Sequence, residues 1–358
     1  MRNIIDYIKE EYRTFDEKKL NQVDSLIFSN FAYINLEEVL QSGKEYEIRD
    51  ILQREHFKKM FKNIIMPQLF ESFVYELAAS PRFRNVKLKY FVNSNDKNVE
   101  KQFAAVTFII NDEYSYIAFR GTDDSFNGWK EDFNMAFKCP VPSQEEALEY
   151  VNKFYKNLTP KIYLGGHSKG GNLAVYSLVK VNKKIQDRIE CVFSHDGPGF
   201  REEFIKSEEF NNVKGKIRKT LPQSSIVGML LQTQENYKIV NSDAFFLLQH
   251  DPFSWQVKSS DFDYTENLSG GAKYTNVTIN KWLNDLSDSK REKVVKQMFK
   301  ALYATNETTF TGLALNWKKN LPIILTELRD LDEETKEIMY TIIRELGKFW
   351  FSNYGNKK

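Results

Sequence analysis

The sequence predicts an α/β protein with a mostly parallel central sheet and helical additions at its two ends. Three observations carry this expectation. From Val86 onward, short apolar runs of strand length alternate with stretches of helical period. One such run, Ile162–Leu164, enters the glycine-dense turn G-G-H-S-K-G-G and leaves it in an alanine/leucine/valine helix pattern that reaches Tyr176. Both flanks read mainly as helix. The expected division is a helical N-terminal extension over 1–85, a core over 86–258, and a linker with C-terminal helices over 259–358, packed as one compact unit.

Taken in order, Leu20, Val23, Leu26, Ile27, Phe31 and Ile34 recur at helical spacing, and Met66 to Ala79 makes a second amphipathic run after Pro67. His56 lies among Lys58, Lys59 and Lys62 and reads as a surface histidine. At Val86 the period changes to two. Val86, Leu88 and Tyr90 alternate with polar positions, a loop is expected over 93–101, and A-A-V-T-F-I-I, a turn at Asn111–Asp112 and S-Y-I-A-F-R complete an antiparallel meander. Ser143 and Glu146 are spaced as a capping box for a helix to about Leu158. Further strands are expected at 189–195, 215–221 and 237–240. Residues 259–278 are polar and read as a linker or surface loop. Ser289 and Glu292 form a capping box for a helix over 290–304, and Asp332 opens a last helix to about Phe351.

Composition excludes several classes. The 51 basic and 49 acidic residues leave a net charge of +2, so no bulk field favours nucleic acid or an anionic membrane. No stretch approaches the roughly 20 apolar residues of a transmembrane helix, and the charged N-terminus lacks a secretory apolar segment. Two cysteines argue against a disulfide scaffold and for a reducing, cytoplasmic compartment. Neither H-E-x-x-H nor C-x-x-C occurs, so no metal or cofactor is expected.

The turn carries the chemistry. Gly166-x-Ser168-x-Gly170 is the nucleophile-elbow pattern in the setting it needs, a strand, a sharp turn and a helix. Glycines let the turn close against neighbouring strands, and the free N–H groups at the helix start favour developing negative charge. A glycine-rich connector is the plain alternative; a phosphate loop is excluded by spacing. An elbow serine needs a base, an orienting acid and oxyanion donors. Among the histidines, His167 lies inside the motif and should sit beneath the turn, and His195 closes a strand. His250, on a late loop in L-L-Q-H-D-P-F-S-W, fits the chain order Ser…acid…His better than His195. Asp196, at the carboxyl end of the strand after the elbow helix, is the favoured acid, with Asp243 and Asp251 as alternatives. Lys169 N–H, directly after the serine, is one expected oxyanion donor. Thr122, in the strand exit R-G-T, is the other.

I-A-F-R-G-T, then Trp129 and Asp132 in W-x-x-D, then G-H-S-K-G-G-N-L-A resemble the class 3 (fungal-type) lipases of the α/β-hydrolase superfamily. The segments at His195–Phe200, Pro222–Leu230 and Gln249–Trp255 resemble more closely a mostly bacterial, lipase-like (Mbeg-like) branch of it. The resemblance implies the α/β-hydrolase fold and a serine hydrolase with Ser168 as nucleophile, His250 as base, and Thr122 and Lys169 as oxyanion donors. The implied substrate is a small-molecule or lipid-like carboxylic ester.

Two departures stand out. Lys169 replaces the usual leucine, and its ammonium is expected near the site, favouring an anionic substrate group. Ser225 stands where the family's acid is, so Asp196 takes over that role, the site runs as a dyad, or the fold persists as a non-catalytic interaction module. Gly228–Leu231 reads as an apolar lid or a core helix.

Overall fold

The computed structural model describes residues 2–40, 44–62, 64, 66–231, 236–244, 246–269, 280, 286–329, 331, 333 and 336. Its strands are β1 (Tyr46–Glu47), β2 (Lys87–Asp96), β3 (Lys101–Ile109), β4 (Tyr114–Phe119), β5 (Lys161–His167), β6 (Ile189–His195), β7 (Ile217–Pro222), β8 (Tyr237–Val240), β9 (Val257–Lys258), β10 (Asp261–Phe262) and β11 (Tyr264–Thr265). β1 to β8 lie side by side in chain order with β11 at the far edge, a nine-stranded sheet; β9 and β10 form a separate pair. The sheet is α/β as expected, with a parallel centre and antiparallel strands added at both edges. β4 to β8 run parallel, whereas β1 to β4 pair antiparallel and β11 returns antiparallel on β8. β4 is buried along its whole length, as a strand covered on both faces must be, which is why its sequence runs apolar instead of alternating.

Helices cover both faces. On one lie α1 (Ile4–Glu10), α2 (Gln22–Phe31), α3 (Phe57–Met60) and α4 (Pro67–Ala79), whose Val23, Phe28, Phe31, Phe73 and Leu77 pack on Phe108 and Tyr116 of the sheet. On the other lie α5 (Phe126–Asn134), α6 (Pro142–Phe154), α7 (Lys169–Lys180), α8 (Lys183–Arg188), α9 (Glu202–Lys206) and α10 (Glu208–Val213), with Leu173 and Leu178 of α7 on Ile117, Leu164 and Val192. Each fully buried aliphatic or aromatic side chain of this kind contributes about 1.5–3 kcal/mol. Beyond the sheet, α11 (Asp288–Tyr303), α12 (Phe310–Leu315) and α13 (Trp317–Leu328) form a third cluster in which Phe299 and Phe310 enclose Phe126.

Several elements differ from the sequence reading. β2 and β3 extend into the loop expected at 93–101, because Ser94, Asn95 and Asp96 pair with Phe103, Gln102 and Lys101 through backbone groups that need no apolar side chains. α6 begins at Pro142, and Gln144, not Glu146, reaches back to the Val141 N–H at 2.9 Å. α11 begins earlier than expected, on the cap of Ser287. The polar stretch after 258 hides an edge strand, β11. Gly228–Leu231 is not a core helix: it overlaps a single 3-10 turn, Val227–Met229. The helix expected from Asp332 to about Phe351 lies outside the described residues apart from Glu333 and Lys336, and 270–278 lie outside them too.

Candidate active site

The site forms where β4, β5 and β6 end together. Ser168 leaves β5 at φ 57°, ψ −134°, a conformation that costs a non-glycine residue on the order of 1–3 kcal/mol and persists only under strong surrounding constraint. The constraint is visible. Its N–H donates to His195 O (2.9 Å), and its carbonyl accepts from Gly171 N–H (2.9 Å). Gly170 lies so close to β4 that a Cβ there would stand 2.0 Å from Phe119 O. Gly121 brings the next loop equally near: its Cβ would meet His167 O at 2.6 Å and Ser168 Cβ at 3.0 Å. Thr122 follows directly. Neither its N–H nor that of Lys169, the first residue of α7, donates a hydrogen bond among the described residues.

Asp196 and His250 meet. Asp196, buried at the end of β6 with φ 50°, presents Oδ2 to His250 Nδ1 at 2.6 Å. Its Oδ1 accepts from Ser225 Oγ (2.5 Å) and from Gly228 N–H (3.2 Å). Ser225, expected from the sequence at the acid position of the resembled lipases, is a donor to a carboxylate one strand earlier. Asn172 of α7 donates to Pro198 O (3.2 Å) and Gly199 O (2.9 Å), fixing the loop that carries Asp196. Asp251 caps the 3-10 turn Pro252–Ser254 and is raised to about 6 by burial; Asp243 is exposed. Neither touches His250 Nδ1.

The other histidines are occupied. His167 donates from Nε2 to the His250 carbonyl (2.8 Å) and accepts from Tyr33 OH at Nδ1 (3.0 Å), and burial holds its pKa well below the ordinary value. It thus ties the elbow to the backbone of the His250 loop. His195 has Thr220 Oγ1 at Nδ1 (2.7 Å) and Ser25 Oγ at Nε2 (2.9 Å), and burial pushes it down to about 3. No hydrogen bond joins Ser168 Oγ to His250 among the described residues, and His250 Nε2 has no partner there. Nucleophile–base bonds are commonly long without ligand.

Lys169 departs from expectation. Its ammonium is not in the crevice but fully buried, donating to Glu131 Oε2 (2.9 Å) and Gln102 O (3.0 Å), with Asp132 Oδ1 at 3.6 Å. Buried and occupied by these partners, the ammonium is not free to meet a substrate anion. Asp132 in turn accepts the Thr122 hydroxyl at Oδ2. Sequence reasoning missed Glu131 and Tyr33. Glu131 had one signal, the lysine at 169 that would need a buried counter-charge; Tyr33 had none. No group of three or more His, Cys, Asp or Glu with metal-binding geometry occurs among the described residues, and no helix there is long and apolar enough to cross a membrane.

The parallel strands β4 to β8, with the strained strand–turn–helix at Ser168 and helices on both faces, fit the α/β-hydrolase fold of the lipase-like kind. The Mbeg1-like family model matches residues 77–300, and the chain belongs to that family. Solved structures similar to it include the M37 lipase, 16% identical over 59% of this chain and 69% of that one with a TM-score of 0.36. The Rhizomucor miehei lipase propeptide complex is 14% identical over 70% of this chain and 83% of its own, with a TM-score of 0.36. No curated protein matches.

Proposed function

We propose that the protein is a serine hydrolase that cleaves carboxylic esters through an acyl-enzyme. Ser168 attacks the ester carbonyl, His250 Nε2 takes its proton and returns it to the leaving alcohol, and Asp196 fixes the imidazole with its proton on Nδ1. The N–H groups of Thr122 and Lys169 receive the oxyanion, each donor worth about 3–4 kcal/mol in the transition state. Water repeats the cycle on the acyl-enzyme. The observation that carries this reading is the Asp196–His250 bond, formed by two side chains 54 residues apart at the rim of a strained elbow serine. Hydrolysis of p-nitrophenyl esters of graded acyl length, with Ser168→Ala as control, tests it: turnover by the native chain and none by the variant is expected.

A second reading, a non-catalytic module on the same fold, is favoured by the missing bond between Ser168 Oγ and His250. It requires a folded native chain that hydrolyses no ester of the series.

A further inference from the structure

We propose that Lys169 and Glu131 are a positioning pair that holds both oxyanion donors in register, an assignment that rests on the hydrolase reading. The two donors come from separate elements, the loop after β4 and the start of α7. What joins them is helix α5. Glu131 accepts from Lys169 Nζ (2.9 Å) and Gln102 N–H (3.0 Å) at Oε2, and from Ser143 N–H (2.8 Å) at Oε1. One buried carboxylate thereby links α5, β3, the first turn of α6 and the residue after the elbow serine. The next residue, Asp132, accepts the Thr122 hydroxyl. Consecutive carboxylates on one turn of helix thus grip the two donor residues.

Charge makes the arrangement work. Burial alone would depress the Lys169 ammonium, yet the charges of Glu131 and Asp132 raise it above the ordinary lysine value. Asp132 is pushed up to about 6 by burial, and the nearby Lys169 charge and Thr122 hydroxyl oppose that rise. Its Oδ1 has no hydrogen-bond partner, and Lys169 Nζ at 3.6 Å faces it. The ammonium therefore favours the ionised form of Asp132, which accepts from the Thr122 hydroxyl and so ties down the loop that presents the Thr122 N–H. The charged and titratable groups around this centre include Glu131, Asp132, Lys169, Arg120, Tyr33 and Asp123. A leucine at 169 would supply the same backbone N–H but none of this linkage.

The test compares the native chain with Lys169→Arg, Lys169→Leu and the double variant Lys169→Leu/Glu131→Gln, which removes both buried charges together and guards against a simple folding failure. With p-nitrophenyl butyrate, the folded double variant is expected to lose roughly 10- to 100-fold in kcat, part of what one oxyanion donor supplies, with KM within about threefold, and Lys169→Arg should recover part of the loss. Native kcat in a folded double variant, or a loss confined to KM, would overturn the assignment. Carboxyl NMR titration of Asp132 gives a readout independent of activity. Lys169→Leu should move its titration to higher pH, and an unmoved titration would overturn the pairing even if the native chain proved inactive; a silent native chain with a moved titration would instead bring down the hydrolase reading and leave the coupling standing.

Discussion

Asp196→Asn changes one atom and should change the tautomer of the proposed base. In the native chain Asp196 Oδ1 accepts from Ser225 Oγ at 2.5 Å and Gly228 N–H at 3.2 Å, while Oδ2 faces His250 Nδ1 at 2.6 Å. An asparagine will keep its carbonyl at the Oδ1 position, because both donors there need an acceptor. Its NH₂ then meets His250 Nδ1, which must accept, so the imidazole proton moves to Nε2, where it blocks proton transfer from Ser168. Flipping the amide restores an acceptor for Nδ1 but sets the NH₂ against the Gly228 N–H, and leaving a buried donor unmade costs about 1–3 kcal/mol, or roughly 5- to 150-fold. The full tautomer penalty in a serine triad is about 10⁴-fold. The flip is the cheaper escape, so reaction with a fluorophosphonate should slow by roughly 5- to 150-fold, rising toward about 10⁴-fold where the amide stays unflipped, with an unchanged melting transition confirming the fold. A folded Asp196→Asn chain that reacts within threefold of the native rate would refute the reasoning.

Ser225→Ala removes the shorter of the two donors to Asp196 Oδ1, a bond to a charged group worth about 1.5–3 kcal/mol; labelling should slow about 5- to 20-fold, and a rate equal to native would deny Ser225 any part in holding the acid. Gly121→Ala places a Cβ 2.6 Å from His167 O and 3.0 Å from Ser168 Cβ, neither of which can retreat. A lower melting temperature with loss of labelling is expected, and unaltered behaviour of both would contradict the close approach. Burial holds the His195 imidazole at about 3 against an ordinary 6.5, so between those pH values the unfolded chain binds a proton that the folded chain refuses. Its contribution to stability is complete above about 6.5 and falls away toward pH 3, by up to roughly 4–5 kcal/mol. In urea melts between pH 7 and 4, the native chain should lose stability relative to His195→Gln; a constant difference would mean that His195 is not buried neutral.

The elbow was legible because its chemistry is local. A serine at a positive φ between β5 and α7 demands glycines at fixed offsets, and those glycines are in the sequence at 166, 170 and 171. The meeting of Asp196 and His250 was legible from topology, since parallel strands deliver their carboxyl ends to one edge of the sheet. What stayed hidden depends on contacts across long separations. The sequence shows that Lys169 is unusual but not which way its side chain runs, and the partner that draws it inward, Glu131, is 38 residues away. Tyr33 and Ser25, which occupy His167 and His195, come from a helical segment with no motif of its own. β11 was lost among polar residues because an edge strand is held by backbone bonds to β8, and polar side chains serve it as well as apolar ones. The displaced starts of α6 and α11 have a simpler cause. Several residues in each stretch can cap, and only the packed helix selects one.

The most direct measurement is intact-mass analysis of the native chain after reaction with a fluorophosphonate, followed by mapping of the modified peptide. One adduct per chain on Ser168, absent in Ser168→Ala and strongly slowed in His250→Ala, is the predicted result. A folded native chain that gains no mass, or gains it on another residue, would contradict the account.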